Sequence, residues 1–497
     1  MDILLISPDY NNKLSNFPWG VLSLASYLSK VKNYKVVLLD ASVYSEPDFY
    51  RRLEESCKGI SLVGVSLMST DTYFGKKVID RIKEIDPEIK IIVGGPHARL
   101  QPVSTCAYKN IDFVAYADGE HTLESLFEKI KSKDTDYSQV PGLVYKEGGL
   151  IKRTPISSSP DFYDINYELL PERTIKGFAR YIQVLTGRGC NFKCTFCFNS
   201  VCGQKWRGRP MKDVVRELEG IVAEYHPSIV YFRDDNFFQS KERIFEFIEL
   251  YKHKKFTFQW RASCRVNYFN EGYITPHVIK ELEAINCQVL KFGLESGSQR
   301  MLDYLKKGIN LEKVKELILV LSKSKIIKPE YSLMIGMPKE TTRDYMDTLR
   351  LVGFIRKHDP RAAIIGPQYF RVYPGGELYE EIKKIYGYFE PDSFEGWAEK
   401  SSDAKNKLLG LGQDLRYPWV PGKYLFLAQN VWQLVLFSRQ DVKRYLSLKL
   451  MVQMPFILLA KLRVNLCWYS FLIDLRFAVL LKDIKKRLLT VGHNEIN

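Results

Sequence analysis

Along the first 135 residues, short apolar runs alternate with stretches whose apolar positions recur three and four apart. The runs are 3–6, 36–39, 62–66, 89–93 and 113–116, and the amphipathic stretches include 21–31 and 73–85. Runs this short read as buried strands and the intervening pattern as helices packed on a sheet. Neighbouring parallel strands need crossovers, so five strands with helices between them predict a doubly wound parallel sheet. Ligands of such sheets sit beyond the carboxyl ends of the strands. The residues there are Ser7-Pro8, Ser66 with Ser69-Thr70, Gly94-Gly95-Pro96-His97 and Asp118-Gly119-Glu120. Glycines and small hydroxyls allow backbone to approach a large flat or phosphorylated ligand.

A second alternation starts near residue 179. Its predicted strands are 181–185, 229–232, 256–260, 289–292, 331–335 and 364–373, and its helices include 212–225, 240–252, 275–285, 311–323 and 342–356. Six β/α units predict a partial TIM barrel with its chemistry at the carboxyl ends of the strands. Residues 136–178, with Pro141-Gly142, Ser157-Ser158-Ser159-Pro160 and Pro171, read as a linker, and 377–497 as a helical region. The expected organisation is 1–135, linker 136–178, barrel 179–376 and helical region 377–497, an α/β chain throughout its first three quarters.

Composition narrows the function. With 45% apolar and 26% charged residues among 497, the chain can build full-size cores. The net charge is +15, and residues 423–497 hold twelve Lys/Arg against four Asp/Glu, so the excess concentrates in a basic tail. The start, Met1-Asp2-Ile3-Leu4-Leu5-Ile6-Ser7, lacks the basic segment, apolar run and cleavage site of a secretory leader. A cytoplasmic, reducing location is therefore expected, with the nine cysteines buried, metal-binding or reactive rather than paired.

Three of those cysteines lie within eight residues: Cys190-Asn191-Phe192-Lys193-Cys194-Thr195-Phe196-Cys197. Thiolates this dense suit zinc or an iron–sulfur cluster, and three of them leave one position of a four-ligand site open for chemistry. Cys202 is a candidate fourth ligand, and a small buried residue is its simpler reading. The Cys-x3-Cys-x2-Cys pattern, with an aromatic before the last cysteine and on the loop after the first barrel strand, resembles the radical SAM enzymes. The resemblance extends through Trp206-Arg207-Gly208-Arg209, Tyr231-Phe232-Arg233-Asp234-Asp235-Asn236, Phe292-Gly293-Leu294-Glu295-Ser296-Gly297-Ser298, Lys306-Lys307-Gly308 and Ile335-Gly336-Met337-Pro338-Lys339-Glu340-Thr341. These stretches look like the cobalamin-associated branch, which includes class B methyltransferases and anaerobic cyclases. The N-terminal sheet resembles a cobalamin-binding domain through Pro18-Trp19-Gly20 and Val93-Gly94-Gly95-Pro96-His97.

The resemblance implies that Cys190, Cys194 and Cys197 hold a [4Fe–4S] cluster whose free iron chelates S-adenosylmethionine, and that a 5′-deoxyadenosyl radical then attacks an unactivated carbon. By position, Phe196 offers backbone to the adenine and Glu295 holds the ribose hydroxyls. Asp234 and Asp235 stand where the family binds the methionine amino group, although its usual Gly-Gly-Glu is absent, and Arg265 is the candidate for the carboxylate. Helix capping is the plain alternative for these charged strand-end residues. Ser66, Thr70, Gly94, Gly95 and Glu120 are the candidates for cobalamin. The loop Asp9-Tyr10-Asn11-Asn12-Lys13-Leu14-Ser15 lacks the Asp-x-His-x-x-Gly histidine of the mutases, so bound cobalamin is expected without that ligand. Many nucleotide-binding domains would show the same sheet and glycines.

The expected activity is methyl transfer to an unactivated carbon of a small molecule. In the family scheme one S-adenosylmethionine methylates the cobalamin and a second supplies the radical. Flavodoxin or ferredoxin is the expected reductant. A cyclase acting on a lipid- or porphyrin-like substrate is the alternative within the enzyme class, and a ligand-binding or regulatory module is the alternative outside it. The methylthiotransferases of tRNA carry a further cysteine set in the N-terminal domain, where this chain has only Cys57 and Cys106, and nucleic acid is not expected as a partner. In the tail, Trp432, Tyr445, Trp468, Tyr469 and Phe471 lie among Lys443-Arg444, Lys461, Arg463 and Lys485-Lys486-Arg487. A helical cap over the barrel, peripheral contact with an anionic membrane through 423–497, or a basic surface facing RNA would each fit that pattern, with the cap the plainest.

Overall fold

A computed structural model describes residues 3–9, 17–157, 162–408 and 417–420, together with 458, 459, 462 and 466. The first alternation forms β1 (Ile3–Ser7), α1 (Trp19–Ser26), β2 (Val36–Asp40), α2 (Glu46–Cys57), β3 (Leu62–Ser66), α3 (Thr72–Ile85), β4 (Lys90–Gly94), α4 (Gly95–Leu100), α5 (Pro102–Ala107), β5 (Phe113–Ala115) and α6 (Gly119–Lys131). The five strands are those the apolar runs predict, shifted by a residue or two at their ends. Their order is β2-β1-β3-β4-β5, all parallel. The order reverses between β1 and β3, and in open α/β sheets this switch point is where a crevice forms.

The segment 136–178 is more than a linker. It folds into a hairpin, β6 (Leu143–Glu147) and β7 (Leu150–Arg153), which extends the sheet through antiparallel pairing of β5 with β6. A one-turn helix and α7 (Glu172–Phe178) follow. Each hairpin strand is only four or five residues long, and β7 is exposed throughout and partly charged. The apolar alternation that marks a half-buried strand is therefore weak, and the flanking Pro141-Gly142 and Ser157-Ser158-Ser159-Pro160 make the segment read as a linker.

The second alternation supplies β8 (Tyr181–Val184), β9 (Gly187–Arg188), α8 (Phe198–Val201), β10 (Arg207–Gly208), α9 (Met211–Tyr225), β11 (Ile229–Phe232), α10 (Lys241–His253) and β12 (Gln259–Cys264). It continues with α11 (Pro276–Ala284), β13 (Cys287–Glu295), α12 (Gln299–Tyr304), α13 (Leu311–Leu321), β14 (Lys328–Ile335), α14 (Thr342–His358) and β15 (Ala363–Tyr369), and then α15 (Glu377–Tyr386) and α16 (Phe394–Leu408). The chain divides into two compact units that cut across this alternation. One comprises Met1–Ser263, Ala284–Cys287 and Val372–Asp414; the other comprises Cys264–Glu283, Gln288–Arg371 and Leu415–Asn497. In the first unit β8, β11 and β12 pair in parallel, and in the second β13, β14 and β15 do. The third predicted barrel strand, 256–260, is displaced: Phe256 and Phe258 pack beside Tyr251, and pairing begins at Gln259. Most of the tail proposed to contact a membrane, including Trp432, Tyr445, Trp468, Tyr469 and Phe471, lies outside the described residues.

The pleat of the N-terminal sheet separates core from crevice. Leu4, Ile6, Val63, Val65, Ile91 and Val93 join one hydrophobic cluster with Phe49, Leu53, Phe74, Val78 and Ile79. Leu5, Gly64 and Ile92 alternate with them and point to the opposite face, which carries the crevice. A Cβ at Gly64 would stand 2.7 Å from Leu5 Cδ2, so a side chain there would force the Leu5 side chain to move.

Helix α16 closes the core face: Phe394 is fully buried in the same cluster, and Thr72 donates to the Trp397 carbonyl at 2.9 Å. His97 is sealed beneath it. Its ring centroid is 5.3 Å from Trp397 and 5.9 Å from Phe394, and its Nδ1 is 3.1 Å from Ser69 Oγ. Burial pushes its pKa down to about 4. Between pH ~6.5 and 4 the unfolded chain takes up a proton that the folded one refuses, so stability falls as pH drops through that window and levels off below it. The loss amounts to about 3 kcal/mol. His97→Gln flattens this slope relative to wild type when unfolding free energies are compared at pH 7.5, 5.5 and 4.5.

Candidate functional site

The cysteine loop is pinched at its base. Strands β9 and β10 pair antiparallel, Arg188 with Arg207 and Gly187 with Gly208, so residues 189–206 form a closed excursion. Gly189 turns into it at φ +78°, where a Cβ would lie 2.4 Å from the Lys205 carbonyl. Inside the loop the Cys190 N–H donates to the Gln204 carbonyl at 3.2 Å, and the Cys197 N–H to Cys194 at 3.1 Å. Cys197 sits at the start of α8, and the N–H groups of Asn199 and Ser200 donate to its sulfur. Partial burial and the neighbouring Cys194 push its thiol up, and those two donors oppose the shift. The Cys190 sulfur accepts from Asn236 Nδ2 at 3.6 Å.

Among the described residues no three His, Cys, Asp or Glu side chains converge as ligands of one metal ion would. A cubane cluster takes each thiolate on a different iron, so its three cysteines need not converge on a point. Cys194 is buried and Cys190 and Cys197 are half-buried, on one loop whose donors favour thiolates, which fits the cluster. Cys202 has a different environment: its thiol is raised by burial and accepts from Arg99.

The crevice at the switch point is a cavity of about 280 Å³ within the same unit. Leu5, Val21, Leu24, Gly64, Ile92 and Leu123 make its wall apolar. Ser66, Gly94, Gly95 and Glu120 line it as the sequence predicts, whereas Thr70 does not and its hydroxyl bonds Asp71 at 3.2 Å. Gly95, at φ +88°, brings backbone so close that a Cβ would lie 2.8 Å from the Leu67 nitrogen. An apolar slot with glycine edges accepts part of a large flat ligand, which fits a cobalamin. His97 belongs to the opposite, core face of the sheet. Residues 10–16 of the loop after β1 lie outside the described residues.

Sequence reasoning missed the residues that join cavity and cysteine loop. Arg188, two positions before Cys190, donates to Glu120 at 2.7 Å and to Ser23 at 2.6 Å, while Tyr163 donates to the same Glu120 oxygen at 2.6 Å. Asp118 accepts from Arg207 at 2.6 Å and pairs with Arg99 at 3.4 Å. Arg188, Arg99, Phe198 and Gln204 all line the cavity. Their signal was an arginine set between the glycines of Gly187-Arg188-Gly189, beside the cysteines.

Asp234 and Asp235 are engaged by the protein. Asp234, 2% exposed, accepts from the Thr186 N–H and hydroxyl, each at 2.7 Å, and burial raises its pKa to about 6 against those bonds. Asp235 accepts from the Asn199 side chain and the Gly189 N–H. Phe196 is half-buried between Cys194 and Cys197.

The second unit places Glu295 and Arg265 around Lys307. The β13–β14 register shifts between Gly293 and Glu295, and Glu295 takes φ +64°. A bulge and a strained backbone of this kind re-aim a side chain. The buried Glu295 Oε1 meets Lys307 Nζ at 2.8 Å, and Arg265 donates to the Lys307 carbonyl at 2.7 Å. A Cβ at Gly293 would stand 2.2 Å from Glu295 Oε1, so the glycine makes room for the pair.

Residues 184–352 match the radical SAM superfamily, and residues 13–127 match the B12 binding domain. The chain is 28% identical over 393 residues to an uncharacterized methyltransferase, PH0819, of Pyrococcus horikoshii, covering 76% of this chain and 83% of that one. It is 23% identical over 402 residues to the anaerobic magnesium-protoporphyrin IX monomethyl ester cyclase of Rubrivivax gelatinosus, with 77% and 70% covered. Among solved structures it resembles the radical S-adenosylmethionine methyltransferase TsrM of Kitasatospora setae at 18% identity and TM-score 0.64, over 77% of this chain and 76% of that one. It also resembles the cobalamin-dependent radical enzyme OxsB at 16% identity and TM-score 0.65, over 98% and 81%. Three cysteines on a pinched loop, a glycine-edged cavity at the switch point of the first sheet and these two family matches place the chain in the radical SAM superfamily, with a B12 binding domain preceding its radical SAM domain.

Proposed function

We propose that this cobalamin-dependent radical SAM enzyme transfers a methyl group to an unactivated carbon of a small molecule. The observation that carries the reading is the Arg188–Glu120 pair, which holds the cysteine loop against the wall of the glycine-edged cavity. When bound, the cluster supplies reductive cleavage of S-adenosylmethionine and the cobalamin supplies methyl. In this reading Cys190, Cys194 and Cys197 hold the cluster, Phe196 offers backbone to the adenine, Glu295 accepts from the ribose hydroxyls and Arg265 faces the methionine carboxylate. Lys307 keeps one oxygen of Glu295 occupied and its charge neutralised, so the other remains an acceptor. Ser66, Gly94, Gly95 and Glu120 border the cobalamin, and the apolar cavity wall keeps water from reactive species.

Ring closure on a porphyrin-like substrate is the second reading, supported by the likeness to the Rubrivivax cyclase. Methylthiolation has less support: Cys57 and Cys106 are buried in the hydrophobic cluster, with thiols pushed up to about 11 by burial, and provide no second cysteine set among the described residues. A small low-potential electron carrier of the flavodoxin or ferredoxin kind is the proposed reductant. Peripheral membrane contact is proposed for the tail. Leu458, Leu462 and Leu466, spaced by four, are helical and 49–65% exposed. No described helix is long and apolar enough to cross a membrane.

Anaerobic reconstitution with iron, sulfide and hydroxocobalamin is expected to load about four irons and about one cobalt per chain. A variant with Cys190, Cys194 and Cys197 all changed to Ala keeps cobalt and loses iron; iron without cobalt in the wild type removes the methyl-transfer mechanism. Glu295→Gln weakens S-adenosylmethionine binding to the loaded protein about tenfold or more, measured by equilibrium dialysis, because a hydrogen bond to a charged acceptor is lost. In co-sedimentation with anionic liposomes, the full chain pellets and a chain ending at residue 422 stays in solution; equal pelleting removes the membrane contact.

A further inference from the structure

Strand β11 runs into Asp234-Asp235-Asn236, and all three side chains bond to the cysteine loop or its base. Both Asp234 oxygens are taken by Thr186, immediately before the β9–β10 pinch. A Cβ at Gly187 would stand 3.0 Å from Asp234 Oδ2, so the strand end and the loop base are in close apposition. Asp235 reaches Gly189, the residue before Cys190, and Asn199, two after Cys197. Asn236 then meets the first cysteine directly: its Nδ2 is 3.6 Å from Cys190 Sγ and 2.8 Å from Gln239 Oε1.

Two features make the Asn236 contact specific. A thiolate only accepts, so the amide group that faces it is the NH2. The turn is also anchored: Asn236 is 1% exposed, and Phe237 and Phe238 beside it are fully buried, with Phe237 stacked on Phe232 at 4.5 Å. The two buried phenylalanines fix the backbone of the turn, and the amide itself is enclosed.

From this arrangement we propose that Asn236 sets the reduction potential of the cluster by donating to the Cys190 sulfur, with Asp234 and Asp235 as positioning residues that hold the loop in register with that donor. The proposal rests on Cys190 being a cluster ligand. Reduction brings one electron, from an external low-potential carrier, onto the cluster and its thiolates, with no bond broken at Asn236 and no proton moved. A donor aimed at a ligand sulfur stabilises the more negative, reduced state more than the oxidised one, and hydrogen bonds to cluster sulfurs are among the levers that set cluster potentials. This gives the Asp-Asp-Asn end of β11 a role different from binding the methionine amino group: its groups are spent on the cysteine loop.

The test is an electron-paramagnetic-resonance potentiometric titration of the reconstituted full chain without S-adenosylmethionine. Asn236→Leu removes the donor at similar size, and its midpoint is expected to move to a more negative potential while iron per chain stays at the wild-type level. Asn236→Asp removes the donor and adds a negative charge, so its midpoint moves further in the same direction. Wild-type midpoints in both variants overturn the proposal. Because a variant can lose its cluster through misfolding, wild-type protein labelled with ¹⁵N-asparagine is also examined by pulsed resonance of the reduced cluster. The Asn199 N–H at the Cys197 sulfur contributes a ¹⁵N coupling of its own; a further coupling that is lost in Asn236→Leu or Asn236→Asp supports the contact, and identical couplings in wild type and variants overturn it. Cys190→Ala separates the two readings: loss of iron upholds the ligand, whereas full iron retention overturns the ligand reading and the Asn236 role together.

Discussion

A charged guanidinium placed just before a cysteine loop has to be neutralised, and the first unit is organised around that requirement. Leaving a charge unpaired away from water costs several kcal/mol. Arg188 meets the requirement with Glu120, Ser23 and Tyr163, drawn from the first turn of α6, from α1 and from the segment after the hairpin. Those partners are distant in sequence, so satisfying one side chain draws the cavity wall and the cysteine loop together. Glu120 is itself only 1% exposed and would be untenable without Arg188. The dependence is mutual, and this is how one ion pair can hold two functional elements to a common geometry.

The same economy governs the second unit. Glu295 leaves the end of β13 at a positive φ, a costly conformation for a residue with a side chain. The bulge at Gly293 and the pairing with Lys307 hold it there, and Arg265 secures Lys307 through its carbonyl. Backbone strain, a missing Cβ and a buried ion pair together aim one carboxylate.

Much of this was legible beforehand, for identifiable reasons. The five N-terminal strands are continuous apolar runs because a parallel sheet is buried on both faces, and such runs stand out. Cys190, Cys194 and Cys197 stand out because three cysteines within eight residues are a purely local pattern. Ser66, Gly94, Gly95 and Glu120 were placed at the cavity because the carboxyl ends of parallel strands share one edge. Thr70 lies in the loop beyond that edge, does not line the cavity and turns its hydroxyl to Asp71. The hairpin 143–153 carries a linker-like sequence because its outer strand is exposed and its inner one pairs at a sheet edge, which leaves little periodicity to detect.

What the sequence determined by itself was therefore the inventory: an alternating α/β chain, three closely spaced cysteines and glycine-marked strand ends. Local rules of period, spacing and turn chemistry suffice for these. Tertiary structure decided the assignments among charged residues. Asp234 and Asp235 stand where the resemblance puts the methionine amino group, and folding engages them with Thr186, Gly189 and Asn199. Arg188 and Lys307 become, on folding, the counter-charges of Glu120 and Glu295. A buried charge takes its role from whichever partner the fold brings within hydrogen-bond reach, and that distance is not written in the order of the residues.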